Sequence, residues 1–189
     1  MNGRKLSLLM VLLIFFIAIL ACTINIGGPA FPNQRIQVST EAVGDLQTAL
    51  QTAVAGGEVS GQVTLVISES QLTSYLAVKL QTQTQPIFTN PQVYLQDGHV
   101  RIYGMVQQGY FQATIEIVLT ASVDEQGQLK IELTSADFGP LPVPAGLKDA
   151  ATAAIQEALT GVIGPAALGF RLESITIADG KMTIVGRTK

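Results

Sequence analysis

Cysteine and histidine each occur once in this chain of 189 residues, and tryptophan does not occur at all. A single cysteine excludes disulfides within the chain and clusters of thiolate ligands around a metal ion. With His99 as its one histidine, the chain offers almost no material for a Ser-His-Asp triad or a histidine-rich metal site. These absences predict a protein that is not an enzyme and that carries neither a metal ion nor a cofactor.

Charged residues are also scarce, at 13% of the chain compared with about 25% in typical soluble proteins. The formal net charge is −3 and the charges are dispersed, so the chain lacks the basic stripe that nucleic-acid binding requires. The acidic residues next to turns and helix ends have local roles. Asp97 and Asp179 belong to Asp-Gly turns, and Glu69 is expected to stabilise the first turn of a helix.

The N-terminus has the pattern of an export signal. Arg4 and Lys5 precede an uncharged apolar run over residues 6–20, which is typical of a secretory signal peptide. The run ends in Ile19-Leu20-Ala21-Cys22, which resembles the bacterial lipobox. The resemblance implies that residues 1–21 are a lipoprotein signal peptide and that acyl chains on Cys22 anchor the protein to a membrane.

An uncleaved membrane anchor is the alternative, because the length of the apolar run is close to the roughly 20 residues that a helix needs to span a bilayer. Both interpretations place the rest of the chain outside the cytoplasmic membrane, since the positive residues precede the run. Residues 22–40 contain Gly-Gly-Pro and a further proline, and they predict a flexible tether behind the lipidated Cys22. Residues 41–189 show no second boundary and are expected to form a single domain.

Periodicity predicts helices and strands that alternate along this domain. A helix is expected to begin at Ser39-Thr40-Glu41 and to end at Gly56-Gly57. Ser68 and Gln71 form a capping box at the start of a second helix, which stops before Pro86. A third, long helix is predicted over residues 146–163. Strands are expected over residues 62–67, 92–96, 99–106, 110–124, 128–138, 169–178 and 181–186.

Two of the predicted hairpins resemble each other at an offset of 82 residues. Val93–Gly104 and Ile175–Gly186 have apolar residues at the same five positions, and an Asp-Gly turn at the same place. One interpretation is a pseudo-symmetric domain built from two helix-plus-hairpin halves. The other is that any Asp-Gly hairpin with one buried face would look like this.

Antiparallel strands that are apolar on one face need a partner layer, and the amphipathic helices supply it. The sequence therefore predicts an α+β fold, with a curved antiparallel β-sheet of about 5–7 strands wrapping one or two long amphipathic helices.

The segment from Val63 to Leu76 and the hairpin Val93–Gly104 resemble the YpmS-like family of bacterial extracytoplasmic proteins. The passage Gly139–Pro144, which ends the predicted sheet, contributes to that resemblance. A weaker likeness extends to LmeA-like phospholipid-binding proteins and to tubular lipid-binding (TULIP-like) domains. The resemblance covers roughly residues 60–186 and implies a groove between sheet and helix for an acyl chain or another apolar partner.

The sequence thus predicts a membrane-anchored extracytoplasmic lipoprotein that binds a lipid or another apolar ligand. The predicted groove residues are Leu72, Tyr75, Leu76, Leu80, Ile115, Ile117 and Leu159. The alternative is a structural or protein-interaction lipoprotein of the cell envelope, with a closed core and a sheet edge that binds a partner.

Overall fold

A computed structural model of the chain describes residues 10, 24–84, 86, 88–140, 153 and 170–188. Two helices lie wholly within the described residues, α1 (Thr40–Ser60) and α2 (Glu69–Gln81). Its strands are β1 (Ile24–Asn25), β2 (Gln62–Ser68), β3 (Thr89–Gln96), β4 (His99–Gln108), β5 (Phe111–Val123), β6 (Leu129–Asp137), β7 (Phe170–Ala178) and β8 (Lys181–Thr188). Cys22 and Leu159 lie outside the described residues, as does the helix predicted over residues 146–163 apart from Ala153.

The strands form two sheets. The larger has the order β1-β5-β4-β3, with β6 also paired to β5, and the smaller has the order β2-β8-β7. The predicted α+β class is confirmed, and the sheet is curved like a half-barrel. The prediction of one antiparallel sheet is wrong in detail, because the strands divide between two sheets and β1 runs parallel to β5.

The described helices differ from the long amphipathic helices that the sequence predicts inside a wrapping sheet. Helices α1 and α2 have 21 and 13 residues, and they pack against β2, β3 and each other. The apolar faces of the two sheets contribute to a common core, so the sheets do not depend on helices alone for their partner layer.

Both helices begin where the sequence predicts. The Ser39 side chain accepts a hydrogen bond from the Ala42 N–H at 3.0 Å, and Ser68 and Gln71 form the expected capping box. Helix α1 continues beyond Gly56-Gly57 and ends at Gly61, whose φ of 74° suits glycine. Gly57 instead serves packing, because a Cβ there would lie 2.7 Å from the Phe170 ring.

The two similar hairpins meet at their turns and join the sheets. The Gly98 N–H donates to the Ile177 carbonyl, and the Gly180 N–H donates to the Leu95 carbonyl, both at 3.1 Å. The two bonds are equivalent, because Gly180 corresponds to Gly98 and Ile177 corresponds to Leu95 at the offset of 82 residues. Asp97 and Asp179 also have the same φ of 52°. The resemblance between the hairpins therefore extends to a reciprocal contact, which an accidental likeness between two turns does not explain.

The segment that the composition predicts as a flexible tether lies against the larger sheet from Ile24 onwards. Strand β1 pairs with the start of β5, and the Thr114 N–H donates to the Gly27 carbonyl at 3.1 Å. Further along, the Gln92 side chain bonds both the N–H and the carbonyl of Ile36, at 2.7 and 3.0 Å. Strand β1 is thus an edge strand of the larger sheet, and residues 32–36 lie on the face of that sheet opposite the core.

Candidate functional site

The predicted groove residues that the structure describes come together in the core. Leu72, Leu76 and Leu80 follow one another at four-residue spacing on α2, and each is at most 6% exposed. Ile115 and Ile117 on β5 belong to the same apolar cluster and are at most 1% exposed, while Tyr75 is half-buried against it. The sequence thus identified one contiguous apolar face, although these side chains are packed against protein.

A neighbouring part of this face remains partly open to solvent. We call it the open strip, and it consists of Val123 at the end of β5 with Leu129, Ile131, Leu133 and Ala136 on β6. Each β6 member is paired in register with a core-facing β5 residue, as Leu133 is with Leu119. A bulge near Thr134 keeps Ala136 on the same face, opposite Ile117. The open strip is therefore a continuation of the predicted groove face.

A cleft of about 700 Å³ lies at one end of the open strip, a size in the range of small-ligand sites. Its apolar lining includes Val123 and Leu172, and its charged lining consists of Asp124, Arg171, Glu173 and Arg187. These two arginines face each other across β7 and β8, a like-charge arrangement that is unfavourable unless negative groups compensate it. Glu173 compensates Arg187 at 2.8 Å, whereas Arg171 donates only to the Glu125 carbonyl among the described residues.

The edge of β3 is closed by side chains of α2, a feature that the sequence did not reveal. The buried Thr73 hydroxyl accepts from the Val93 N–H at 2.9 Å, and a Glu69 carboxylate oxygen accepts from the Leu95 N–H at 2.7 Å. Glu69 and Thr73 are four residues apart on the helix, which matches two alternate residues of the strand. The expected role of Glu69 at the helix start is thus joined by a second role at a strand edge.

A smaller pocket of about 440 Å³ lies on the outer face, between residues 32–36 and the larger sheet. Tyr94 and Tyr103 meet edge to face within it, with ring centroids 5.7 Å apart. Burial raises the pKa of Tyr103 to about 12, and the hydrogen bond that its hydroxyl donates to Glu116 adds to the rise. Burial, followed by the charge of Glu69, also raises the pKa of Tyr94. Both tyrosines stay neutral at physiological pH and help to fasten the N-terminal segment.

The described residues show no group of three or more His, Cys, Asp and Glu side chains that could hold a metal ion. His99 lies beside its turn, with Nδ1 2.7 Å from the Asp97 carbonyl oxygen. Within the described part of the chain, no helix is both long and apolar enough to cross a bilayer.

Comparison with known protein families gives a match over most of the chain. No curated protein is significantly similar to the chain. The sequence profile of a phospholipid-binding family matches residues 22–187, which is most of the chain. The likeness to LmeA-like proteins seen in the sequence is thereby confirmed, and the chain belongs to the LmeA-like phospholipid-binding family.

Proposed function

We propose that this protein binds a phospholipid without acting on it chemically. Membership of the LmeA-like phospholipid-binding family is the observation that carries the proposal. The apolar face shared by the two sheets and α2 supports it, since burial of acyl chains contributes about 0.8 kcal/mol per methylene group. Lipid is then the ligand class, and the likeness to the YpmS-like family stays a prediction.

We assign the accessible part of the site to the open strip and the cleft beside it. An acyl chain lies along Leu129, Ile131 and Leu133, with the predicted groove residues behind them as the inner wall. The lipid phosphate lies at the rim of the cleft, where Arg171 lacks a carboxylate partner among the described residues. Arg187 is the second cation at that rim. A ligand with acyl chains and one negatively charged headgroup would contact both the apolar open strip and the arginines at the rim of the cleft.

Leu133→Glu is expected to reduce the phospholipid that copurifies with the protein by about tenfold, equivalent to about 1.4 kcal/mol. The physical reason is that a carboxylate on the open strip must lose its hydration when an acyl chain covers it. Native mass spectrometry or lipid extraction of the purified full-length chain measures the phospholipid content per protein.

Ser135→Glu is the matched control for this experiment. Ser135 is exposed on the same strand but pairs with Val118, whose side chain lies on the opposite face of the sheet from the core. The control variant is expected to keep its lipid, and circular dichroism should show both variants folded. Equal lipid content in the two variants would exclude the open strip as the site.

A structural or protein-interaction role is the second candidate, and close packing favours it. The described groove residues on α2 and β5, apart from the half-buried Tyr75, are at most 6% exposed, as in a closed core. A wild-type protein that carries no phospholipid and takes up no fluorescent fatty acid would support this second role and refute lipid binding.

We further propose that Cys22 is acylated and anchors residues 23–189 outside the cytoplasmic membrane. The lipobox Ile19-Leu20-Ala21-Cys22 after an uncharged apolar run supports this proposal. In this arrangement residues 1–21 are removed, and the domain that we assign to residues 41–189 stays within a short distance of the bilayer.

Cys22→Ala is expected to abolish incorporation of a palmitate analogue into the protein and to leave residues 1–21 uncleaved. The reason is that the thiol is the group that the acyl-bearing thioether needs. Metabolic labelling followed by gel fluorescence and mass spectrometry provides the measurement, with Thr23→Ala as control. Equal labelling of wild type and Cys22→Ala would refute the anchor.

A further inference from the structure

Three exposed apolar side chains lie together at one end of the larger sheet. Ile24, Tyr110 and Phe111 are 53%, 60% and 48% exposed, and we call them the tip patch. Tyr110 and Phe111 lie at the turn between β4 and β5, and Ile24 is paired with Phe111 in register. The other large apolar residues exposed in the described chain lie on other elements. A cluster of this kind indicates a contact surface.

The start of the described chain is fixed to this tip. The Ile24 N–H donates to the Tyr110 carbonyl at 2.8 Å, and the Ile26 N–H donates to the Gln112 carbonyl at 2.9 Å. Gly28 makes the close approach possible, because its φ is +120° and a Cβ would collide with the Thr114 carbonyl oxygen. Backbone hydrogen bonds therefore hold Ile24 in the sheet, next to Tyr110 and Phe111.

The two chain segments that form the tip patch carry no charge. Residues 24–34 and 104–115 contain no Asp, Glu, Lys or Arg, although the whole chain has a net charge of −3. Tyrosine is enriched at the boundary between lipid and water, and phenylalanine supplies an apolar ring that can be buried among the headgroups. An anionic bilayer would not repel this end of the protein.

Cys22 precedes Ile24 by two residues, so a fully extended chain brings it within about 7 Å of the tip patch. We propose that the tip patch inserts into the interfacial region of the bilayer that holds the acyl chains of Cys22. This inference rests on the proposed acylation of Cys22. The bilayer is the occupant that the geometry favours, because an anchored chain keeps Tyr110 and Phe111 next to lipid at all times. In this orientation, the turn between β4 and β5 faces the membrane.

The absence of tryptophan allows a direct test. Tyr110→Trp and Val59→Trp are each made in the full-length chain, purified from membranes and placed in vesicles of phosphatidylcholine and phosphatidylglycerol. Val59 is 91% exposed near the end of α1, so it provides a solvent-facing control. In vesicles made with brominated lipid, the tryptophan at position 110 is expected to lose most of its emission and to shift to the blue. The tryptophan at position 59 is expected to do neither.

Each outcome decides the proposal. Equal quenching at the two positions, with Cys22 shown to be acylated by mass spectrometry, overturns the tip patch alone. An unmodified Cys22 overturns the anchor and this inference together. If the tryptophan at position 110 is shielded from solvent in detergent, and the shielding increases with protein concentration, a second copy of the chain is the occupant. This result overturns the bilayer contact. Phe111→Trp should behave as Tyr110→Trp does, which guards against a local effect of one substitution.

Discussion

Replacing Glu69 with alanine is expected to lower the free energy of unfolding by about 2–3 kcal/mol. The carboxylate accepts a 2.7 Å hydrogen bond from the Leu95 N–H at the edge of β3. Leu95 is fully buried, so its N–H loses its partner without gaining water. The same carboxylate lies at the start of α2, where a negative charge also favours the helix. Urea unfolding followed by circular dichroism measures the loss.

Glu69→Gln is the informative comparison, because it keeps an acceptor oxygen and removes the charge. We expect it to recover more than half of the stability that alanine loses. Thr73→Val tests the adjoining bond, since it has nearly the same shape and leaves the Val93 N–H without its acceptor, at an expected cost of about 1–2 kcal/mol. If Glu69→Ala unfolds at the same urea concentration as wild type, the α2 side chains do not secure this strand edge.

Local features of the fold could be predicted because the residues that cause them are close in sequence. The capping box of Ser68 and Gln71 is contained in four residues, and each Asp-Gly turn lies between strands with clear alternation. Strand β5 shows the same advantage, since its odd-numbered residues from Ala113 to Ala121 form the buried face that its alternation predicts.

Long-range pairing could not be predicted, because no local pattern states which strands become neighbours. Alternation gives each strand a buried face but does not tell that β2 joins β8 or that β1 runs parallel to β5. Gly57 illustrates the same limit. A glycine pair usually indicates a helix end, yet here the small residue accommodates Phe170 from a distant strand.

The candidate site could be predicted from the sequence only in part. The stripe of Leu72, Leu76 and Leu80 predicted a shared apolar face with Ile115 and Ile117, and the described residues do share one. Whether a face is closed or open depends on what packs over it, and that is a property of the whole fold. The partial exposure of the open strip therefore had no distinct signal in the sequence, and the facing arginines depend on the register of β7 and β8.

Gly104→Ala is expected to lower the free energy of unfolding by about 2–3 kcal/mol. Gly104 lies on β4, and a Cβ there would be 2.3 Å from the Phe88 ring, which is 1% exposed. Interiors are close-packed, so the ring has little space into which it can move. The strain falls on the core beneath the large sheet and not on the surface. Thermal and urea unfolding of the purified chain provide the measurement.

A double-mutant cycle separates this collision from any general intolerance of β4 to substitution. Phe88→Ala alone is expected to cost about 3–5 kcal/mol, and adding Gly104→Ala to it should cost less than about 1 kcal/mol more, because the clash has gone. Gly44→Ala in α1 is the matched control. Apart from its chain neighbours and the backbone of its own helix, no described atom lies within 4 Å of the Cβ position there, so alanine should stabilise the helix by about 0.4–1 kcal/mol. Strictly additive costs at Gly104 and Phe88 would show that the two residues do not share the space that the packing assigns to them.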